Sequence, residues 1–215
     1  MGMLIPIKAR YVERRQEADD VTAFVFRPDR PFAYRAGQHG IFIVPGAGMK
    51  PLTIASAPED RDLTIATRLG SGSPFKKALG ALQPGDAIRV RGPLNRFTLS
   101  GSADDVVFIA QGVGITPFRS LLRHMRAAGI GRHSTLVHVG SAHAFRGETE
   151  RLATRAWYPS GVEQFRFDLK RAIYERAGAT CYVAGAPAFV ADTAVLLAEL
   201  GVAKKQLRRD SFPGY

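Results

Sequence analysis

The hydrophobic rhythm of the sequence changes near residue 100, and this change limits the chain to folds with two different halves. The first half contains short runs of β-branched and aromatic residues that are bounded by Gly, Pro and Asp. Such runs at regular spacing predict an antiparallel β-barrel or sandwich. The runs are YVERRQEADDVTAFVFRP, GQHGIFIVPG, PLTIAS, DLTIATRL, DAIRVRGP and RFTL. One helix, SPFKKALGAL, interrupts them, with Ser73 as its N-cap and Pro74 in its first turn.

Beyond the polar stretch SGSADD, short apolar strands alternate with amphipathic helices. This alternation is typical of a parallel sheet that is covered by helices on both faces. We therefore predict a barrel domain over residues 1–102 and a Rossmann-like α/β domain over residues 103–215. The predicted elements of the second domain are strand VVFIA, helix PFRSLLRHMRAAG, strand STLVHVG, helix GETERLATRAW, strand EQFRF, helix DLKRAIYERAG, strand ATCYVAG and helix PAFVADTAVLLAELG.

The turn after the first strand of the second half reads QGVGITP. Gly112 and Gly114 allow the backbone to approach a phosphate, Thr116 is a good N-cap, and Pro117 suits the first helical position. The following helix N-terminus would then offer free N–H groups and a partial positive charge to a pyrophosphate. The alternative is an ordinary tight turn, because the dinucleotide motif has a third glycine where this chain has Pro117.

Two further places in the sequence suit an anion. The loop after the next strand lacks the acidic residue that binds a ribose hydroxyl, and Ser141, His143 and Arg146 would instead serve a 2′-phosphate, which favours NADPH over NADH. In the alternative interpretation, Arg146 is a loop cation in solvent. In the first half, the stretch GSGSP at 70–74 also places glycines and an N-cap at a helix start. One such helix start in each domain predicts two nucleotide ligands.

The composition excludes several classes of protein. A single cysteine in 215 residues rules out an intramolecular disulfide, a cysteine-held iron–sulfur cluster and a Cys-rich zinc site. That residue, Cys181, lies in a predicted strand, where we expect a buried, inert thiol. The five histidines lack metal-ligand spacing, so we predict no metal. No apolar run approaches the roughly 20 residues of a membrane span and no signal peptide is evident, so we expect a cytoplasmic protein.

The formal net charge of +11 allows three interpretations. The charge belongs to a solvated basic surface, it attracts an acidic protein or an anionic cofactor, or it binds nucleic acid. No basic helix with interleaved aromatics, zinc-finger spacing or RNA-binding motif supports the third, so we predict no nucleic-acid partner.

Five stretches, taken in order, resemble the motifs of one family. They are FAYRAGQHGIFIV, KPLTIASAPED, GSGSPFKKALGALQPGDAIRVRGPLNRFTL, GVGITPFRSLL, and YVAGAPAFV with a terminal DSFPGY. In this order and spacing the chain resembles the ferredoxin–NADP reductase family, in which a flavin-binding Greek-key β-barrel precedes a nicotinamide-nucleotide domain. The resemblance implies two cofactors, FAD and either NADPH or NADH.

The resemblance also implies roles for individual residues. Lys50 stands where an Arg meets the flavin pyrophosphate, Leu52 where a Tyr stacks on the isoalloxazine, and Thr53 where a hydroxyl bonds flavin N5. The aromatic tail residues Phe212 and Tyr215 would cover the other flavin face, and with Thr53 they are the implied catalytic residues. The implied cofactor contacts are Lys50, Pro51, Leu52, Thr53, Ile54, Ala55, Ser56, Gly72, Ser73, Pro74, Gly112, Gly114, Ile115, Thr116, Pro117, Ser141, Arg146, Gly185 and Pro187.

The implied function is an FAD-dependent oxidoreductase that moves electrons from NAD(P)H to a separate acidic carrier, such as ferredoxin or flavodoxin, or to a small-molecule acceptor. Two alternatives stay open: an electron-transfer flavin subunit of a larger complex, and a redox sensor that binds nucleotides without turnover. We predict no catalytic acid–base pair. We expect Glu148 and Glu150 to be solvated. Asp210 matches an acidic residue near the tail in relatives of this family, which allows a supporting role at the site, but we expect it to form a surface salt bridge.

Overall fold

Six strands of the first half pair into one antiparallel sheet in the computed structural model, which describes residues 5–70, 72–101 and 105–212. They are β1 (Ile7–Ala18), β2 (Val21–Pro28), β3 (His39–Val44), β4 (Gly48–Thr53), β5 (Leu63–Arg68) and β6 (Ala87–Leu94). Their order in the sheet is β4-β3-β6-β1-β2-β5, and the sheet curves around an apolar core that includes Phe24, Phe26 and Phe42. The predicted antiparallel barrel fold is confirmed, in the form of a six-stranded half-barrel sheet.

Helix α1 (Pro74–Ala81) packs against this sheet through Phe75 and Leu79, which lie in the same core. The Ser73 hydroxyl accepts a hydrogen bond from the Lys76 backbone N–H at 3.4 Å, so the predicted N-cap is confirmed. The predicted strand RFTL is wrong, because residues 95–99 leave the sheet after β6.

Five parallel strands form the sheet of the second half, which confirms the predicted α/β fold. They are β7 (Val106–Gln111), β8 (Ser134–Val139), β9 (Arg155–Trp157), β10 (Thr180–Gly185) and β11 (Leu207–Ser211), in the order β11-β10-β7-β8-β9. The accompanying helices are α2 (Ile115–Ala127), α3 (Arg146–Leu152), α4 (Val162–Glu175) and α5 (Pro187–Glu199). The longest of these, α4, has 14 residues, and no helix among the described residues has the length and apolar character to cross a bilayer.

Two predicted elements of the second half are wrong, and one observed strand was not predicted. The segment EQFRF belongs to α4 and is not a strand, because the helix buries Phe165 and Leu169 four residues apart and leaves Phe167 exposed. The predicted helix GETERLATRAW ends at Leu152, and its last residues form β9. Strand β11 was not predicted, because its sequence LRRDS has no apolar alternation and pairs at the sheet edge.

The two halves share one apolar core. Ala36, Ala66 and Phe97 of the first half lie in the same buried cluster as Phe108 and Phe118 of the second. The Phe108 and Phe118 rings stack at a centroid distance of 4.9 Å. The two domains therefore dock against each other through packed side chains, and the predicted boundary between residues 102 and 103 falls outside the described residues.

Candidate functional site

A cavity of about 240 Å³ opens between the two domains. Each domain supplies part of its wall, and the wall carries three hydroxyl groups, one imidazole and one carboxyl group besides its apolar side chains. The lining residues are His39, Pro51, Thr53 and Ala66 of the barrel, and Val113, Thr116, Asp210, Ser211 and Phe212 of the second domain. The structure therefore brings Pro51, Thr53, Thr116 and Phe212 of the predicted set together.

Residues 50–56, which the family resemblance assigns to the flavin and which we call the flavin-signature segment, begin in strand β4. The alternation of side chains along β4 determines which of them face this cavity. Pro51 and Thr53 line it, as expected from the two-residue period of a strand. Leu52 points the other way: it is 4% exposed and belongs to the barrel core, so it does not line the cavity where a stacking side chain was expected. Lys50 is exposed. The following residues, Ile54, Ala55 and Ser56, are buried.

A second cavity, of about 220 Å³, lies at the carboxyl ends of the parallel strands. Ligands of open parallel sheets bind at this edge. Val113 and Phe212 line both cavities, so the two cavities are neighbours that share these residues. The remaining lining residues are Arg68, Gln111, Gly112, Gly140, Gly185 and Ala186, and Pro187 begins α5 directly after them.

The two glycines of the predicted turn are required for different reasons. Gly112 has φ +52°, and a Cβ atom there would lie 2.8 Å from Nη2 of Arg68. At Gly114 a Cβ atom would lie 2.2 Å from the Ala184 carbonyl oxygen, so this glycine allows the turn to pack against β10. The predicted N-cap role of Thr116 is wrong, since α2 begins at Ile115 and the Thr116 hydroxyl donates to the Val113 carbonyl at 2.8 Å.

Cationic side chains gather at the start of α1. Lys76 is 7% exposed, and burial together with the charges of Lys50 and Arg68 lowers its pKa. Gly72 adopts φ +60° immediately before the Ser73 N-cap, so the chain turns sharply into a helix N-terminus that carries partial positive charge. The charges of Lys50 and Arg68 disfavour the protonated form of Lys76, and an anion placed among these side chains would offset that repulsion, so this helix start is a candidate phosphate site.

Asp210 differs from the expected surface salt bridge. It lines the interdomain cavity, where burial raises the pKa of its carboxyl to about 6, and Asn95 Nδ2 donates a 3.4 Å hydrogen bond to it. Burial also lowers the pKa of His39, across the same cavity. The cavity therefore holds a carboxyl group that titrates near neutral pH.

We expect Asp210→Asn to stabilise the protein at pH 8. The buried carboxylate disfavours folding once it ionises, so wild-type stability should fall as pH rises from the ordinary pKa of 3.8 to about 6, and the full cost applies above pH 6. The gain at pH 8 should reach up to about 3 kcal/mol, and it should vanish near pH 4, where the carboxyl is protonated in the folded state. Urea unfolding at both pH values measures this difference. Asp192→Asn, at an exposed position on α5, is the control, and an equal gain in both variants would contradict the assignment.

The predicted 2′-phosphate residues lie on the surface beside the second cavity's strands. Ser141 and Arg146 are exposed, and the Arg146 guanidinium carbon lies 4.4 Å from the centroid of the Tyr158 ring. Glu148 is not simply solvated as expected, because it pairs with both Arg119 and Arg123. Cys181 is fully buried, and burial raises the pKa of its thiol to about 12, as expected for an inert group. Tyr215 lies outside the described residues.

Sequence reasoning missed several residues of the two cavities. His39 pairs with Thr53 across β3 and β4, so the alternation of these strands was a usable signal. Arg68 ends β5, and its approach to Gly112 joins segments that are far apart in sequence, so no local pattern indicated it. Gln111 precedes the predicted turn, and its side chain accepts a hydrogen bond from the Ala186 backbone N–H at 3.3 Å.

Comparisons with known proteins agree with this architecture. No family model matches the chain. It is 33% identical over 142 residues to a probable dihydroorotate dehydrogenase B electron transfer subunit of Methanopyrus kandleri, and 32% identical over 181 residues to a flavohemoprotein of Deinococcus radiodurans. These alignments cover 66% and 79% of this chain but only 51% and 43% of the two relatives, so the chain spans about half of their length.

Solved structures define the class of fold. The flavohem-like FAD/NAD-binding domain of a nitric oxide dioxygenase from Vibrio cholerae superposes with a TM-score of 0.77 at 21% identity, covering 96% of this chain and 98% of that one. The ferredoxin reductase in carbazole 1,9a-dioxygenase gives 0.82 at 17% identity, covering 97% and 70%. The chain thus has the two-domain ferredoxin reductase fold.

Sequence identity then gives the family. The chain is 33% identical over 178 residues to ferredoxin–NADP reductase B of Sorangium cellulosum, and the alignment covers 76% of this chain and 69% of that relative. The protein belongs to the ferredoxin–NADP reductase family.

Proposed function

We propose that the protein is an FAD-dependent oxidoreductase that takes electrons from NAD(P)H and passes them to a separate acceptor. The observation that carries this proposal is the pair of neighbouring cavities, one between the domains and one at the carboxyl edge of the parallel sheet, which share Val113 and Phe212. A redox enzyme of this kind must bring two cofactors into contact while it excludes water. Two adjoining cavities in separate domains suit that requirement.

The residues of the barrel fit FAD. The start of α1, with Lys76, Lys50 and Arg68 nearby, forms a cationic cradle for its pyrophosphate. A lysine holds phosphate as a point charge and lacks the planar fork of arginine, so Lys76 and Lys50 together would take the place of one bidentate contact, while Arg68 is paired with Asp20 at 2.9 Å. Thr53 offers a hydroxyl in the interdomain cavity, where the reactive ring would lie.

The second domain fits a nicotinamide nucleotide. Gly112 forms a cradle that a Cβ atom would fill, and Arg68 of the barrel reaches over it. Ser141 lies on the loop that follows β8 and Arg146 is the first residue of α3; both are exposed and would bind a 2′-phosphate, so NADPH is the proposed donor.

The mechanism assigns separate tasks to the cavity residues. A bound FAD would supply a ring that accepts a hydride and releases electrons singly or in pairs. Thr53 orients the reacting ring by a hydrogen bond, and Phe212 keeps water from the space between the two cavities. The Asp210 carboxyl has a pKa of about 6, so it carries a proton below pH 6 and is ionised above pH 6.

The proposed acceptor is an acidic carrier protein such as a ferredoxin or flavodoxin, because a net charge of +11 attracts such a partner. A second candidate is the role of electron-transfer subunit in a larger complex, which the 33% identity to the Methanopyrus kandleri electron transfer subunit favours. Exposed Lys50 and buried Leu52 in place of the family's Arg and Tyr fit either role.

The purified protein should be yellow, should release FAD on heating, and should lose its absorbance near 450 nm rapidly when mixed with NADPH in a stopped-flow instrument. Lys76→Met should weaken FAD binding by about 10- to 100-fold, since a charge-assisted contact to phosphate contributes about 1.5–3 kcal/mol.

Lys77→Met is the matched control, because Lys77 is exposed on the same helix turn and should leave FAD affinity unchanged. A colourless protein that does not take up added FAD would overturn the proposal. Flavin that binds but is not reduced by NADPH or NADH would favour a sensor without turnover.

A further inference from the structure

Helix α2 connects the two cavity walls directly. Its first turn carries Thr116, which lines the interdomain cavity, and its next turn carries Arg119 and Ser120. On the barrel side, Thr53 lines the same cavity and is followed within three residues by Ala55 and Ser56. Thr116 therefore lies one helical turn from the contact between the domains, and Thr53 lies two to three residues from it.

Arg119 spans this contact while it is only 8% exposed. Its Nη1 donates to the Ala55 carbonyl at 2.8 Å, and its Nε donates to Glu148 Oε2 at 2.7 Å. The guanidinium carbon also lies 4.6 Å from the centroid of the Phe145 ring. The planar guanidinium is thus held on three sides, and one of its bonds reaches the flavin-signature segment of the barrel.

Ser120 makes the adjacent contact. Its hydroxyl is fully buried, donates to the Ser56 carbonyl at 2.5 Å and accepts a hydrogen bond from the Gly37 N–H at 3.3 Å. Two successive barrel carbonyls, those of Ala55 and Ser56, therefore receive hydrogen bonds from two successive side chains of α2. Further along the helix, Arg123 pairs with Asp60 at 2.6 Å.

We infer that Arg119 and Ser120 are positioning residues that fix the separation between Thr53 and Thr116, and hence the separation between the flavin site and the nicotinamide site. This inference deepens the proposed function and rests on it for its kinetic consequence. Hydride transfer depends steeply on distance, and a misplacement of about 1 Å costs about 100-fold in rate. Side chains that do not touch either cofactor thereby control the rate of transfer between them.

The test compares wild type with Arg119→Lys, Ser120→Ala and the double variant, and uses Arg126→Lys, at an exposed position on the same helix, as the matched control. Hydrogen–deuterium exchange on the flavin-loaded protein should rise about tenfold in residues 54–57 of the double variant, because two interdomain hydrogen bonds are weakened. The rate of flavin reduction at saturating NADPH should fall about 10- to 100-fold, while the dissociation constants for FAD and NADP⁺ stay within about threefold. Arg126→Lys should change neither the exchange of residues 54–57 nor the rate of flavin reduction.

Faster exchange with an unchanged reduction rate would overturn the inference, and so would unchanged exchange. A rate loss explained by FAD release would also overturn it, since that is the signature of a merely structural role. If the wild type itself is not reduced by NADPH or NADH, the proposed function fails, and the exchange of residues 54–57 alone then decides whether these side chains hold the domains. Arg119→Lys keeps the charge beside Glu148, so it supplies the measurement if the double variant does not fold.

Discussion

Gly114→Ala should destabilise the protein by about 3 kcal/mol or more and remove nicotinamide-nucleotide binding. The added Cβ atom would lie 2.2 Å from the Ala184 carbonyl oxygen and 2.9 Å from the Gly185 backbone nitrogen, and both neighbours are backbone atoms of a central strand that cannot move aside. Gly114 has an ordinary φ of −59°, so the expected loss of stability comes from this clash and not from a backbone conformation that requires glycine. The second cavity lies at this junction of β7, α2 and β10, so any shift that relieves the clash displaces Gly112 and Gly185 from its wall.

Urea unfolding and a titration with NADP⁺ measure the two effects separately. Gly147→Ala is the matched control, because a Cβ atom at Gly147 in α3 meets open space and should change stability by no more than about 1 kcal/mol, in the stabilising direction. If Gly114→Ala retained both wild-type stability and nucleotide affinity, the close packing of the turn on β10 would have to be wrong.

The contrast between these two glycines shows what the sequence could indicate and what it could not. The pattern G-x-G-x-x-P placed the turn after β7 correctly, but it attributed both glycines to phosphate approach, and Gly114 in fact serves the contact with β10. That contact joins positions 70 residues apart in the chain, Gly114 and Ala184, and local spacing carries no information about such pairs. The Ser73 cap, by contrast, was predicted correctly, because its signal lies within a few neighbouring residues.

The same limit explains the errors at the candidate site. Glu148 was expected to be solvated because it lies on a polar helix, and its pairing with Arg119 and Arg123 depends on how α3 docks on α2. Asp210 was expected to form a surface salt bridge, and the cavity encloses it only after β11 pairs with β10. Burial of a charged residue is a property of the assembled fold, so hydropathy patterns underestimate it.

Phe212→Ala should raise the affinity for oxidised nicotinamide nucleotide by about tenfold. The half-buried Phe212 ring lines both cavities and packs against the interdomain apolar core, while its backbone N–H donates to the Gly185 carbonyl at 2.9 Å. Under the proposed function, a nicotinamide that reaches from the second cavity into the first would have to displace this ring. Exposing a buried phenylalanine costs about 1.5–3 kcal/mol when burial is complete, and about half of that for a half-buried ring. Removing the ring removes this cost from binding, and about 1.4 kcal/mol corresponds to tenfold in affinity.

A titration of the oxidised flavoprotein with NADP⁺, followed by the flavin difference spectrum, gives this affinity directly. Phe212→Trp is the control, since a larger ring in the same place keeps or raises the cost of displacement and should not tighten binding. The backbone bond to Gly185 survives in both variants, so a difference between them reports on the ring alone. Equal or weaker binding in Phe212→Ala would mean that the ring contributes to the nucleotide site as a wall, because a side chain that must be displaced can only oppose binding.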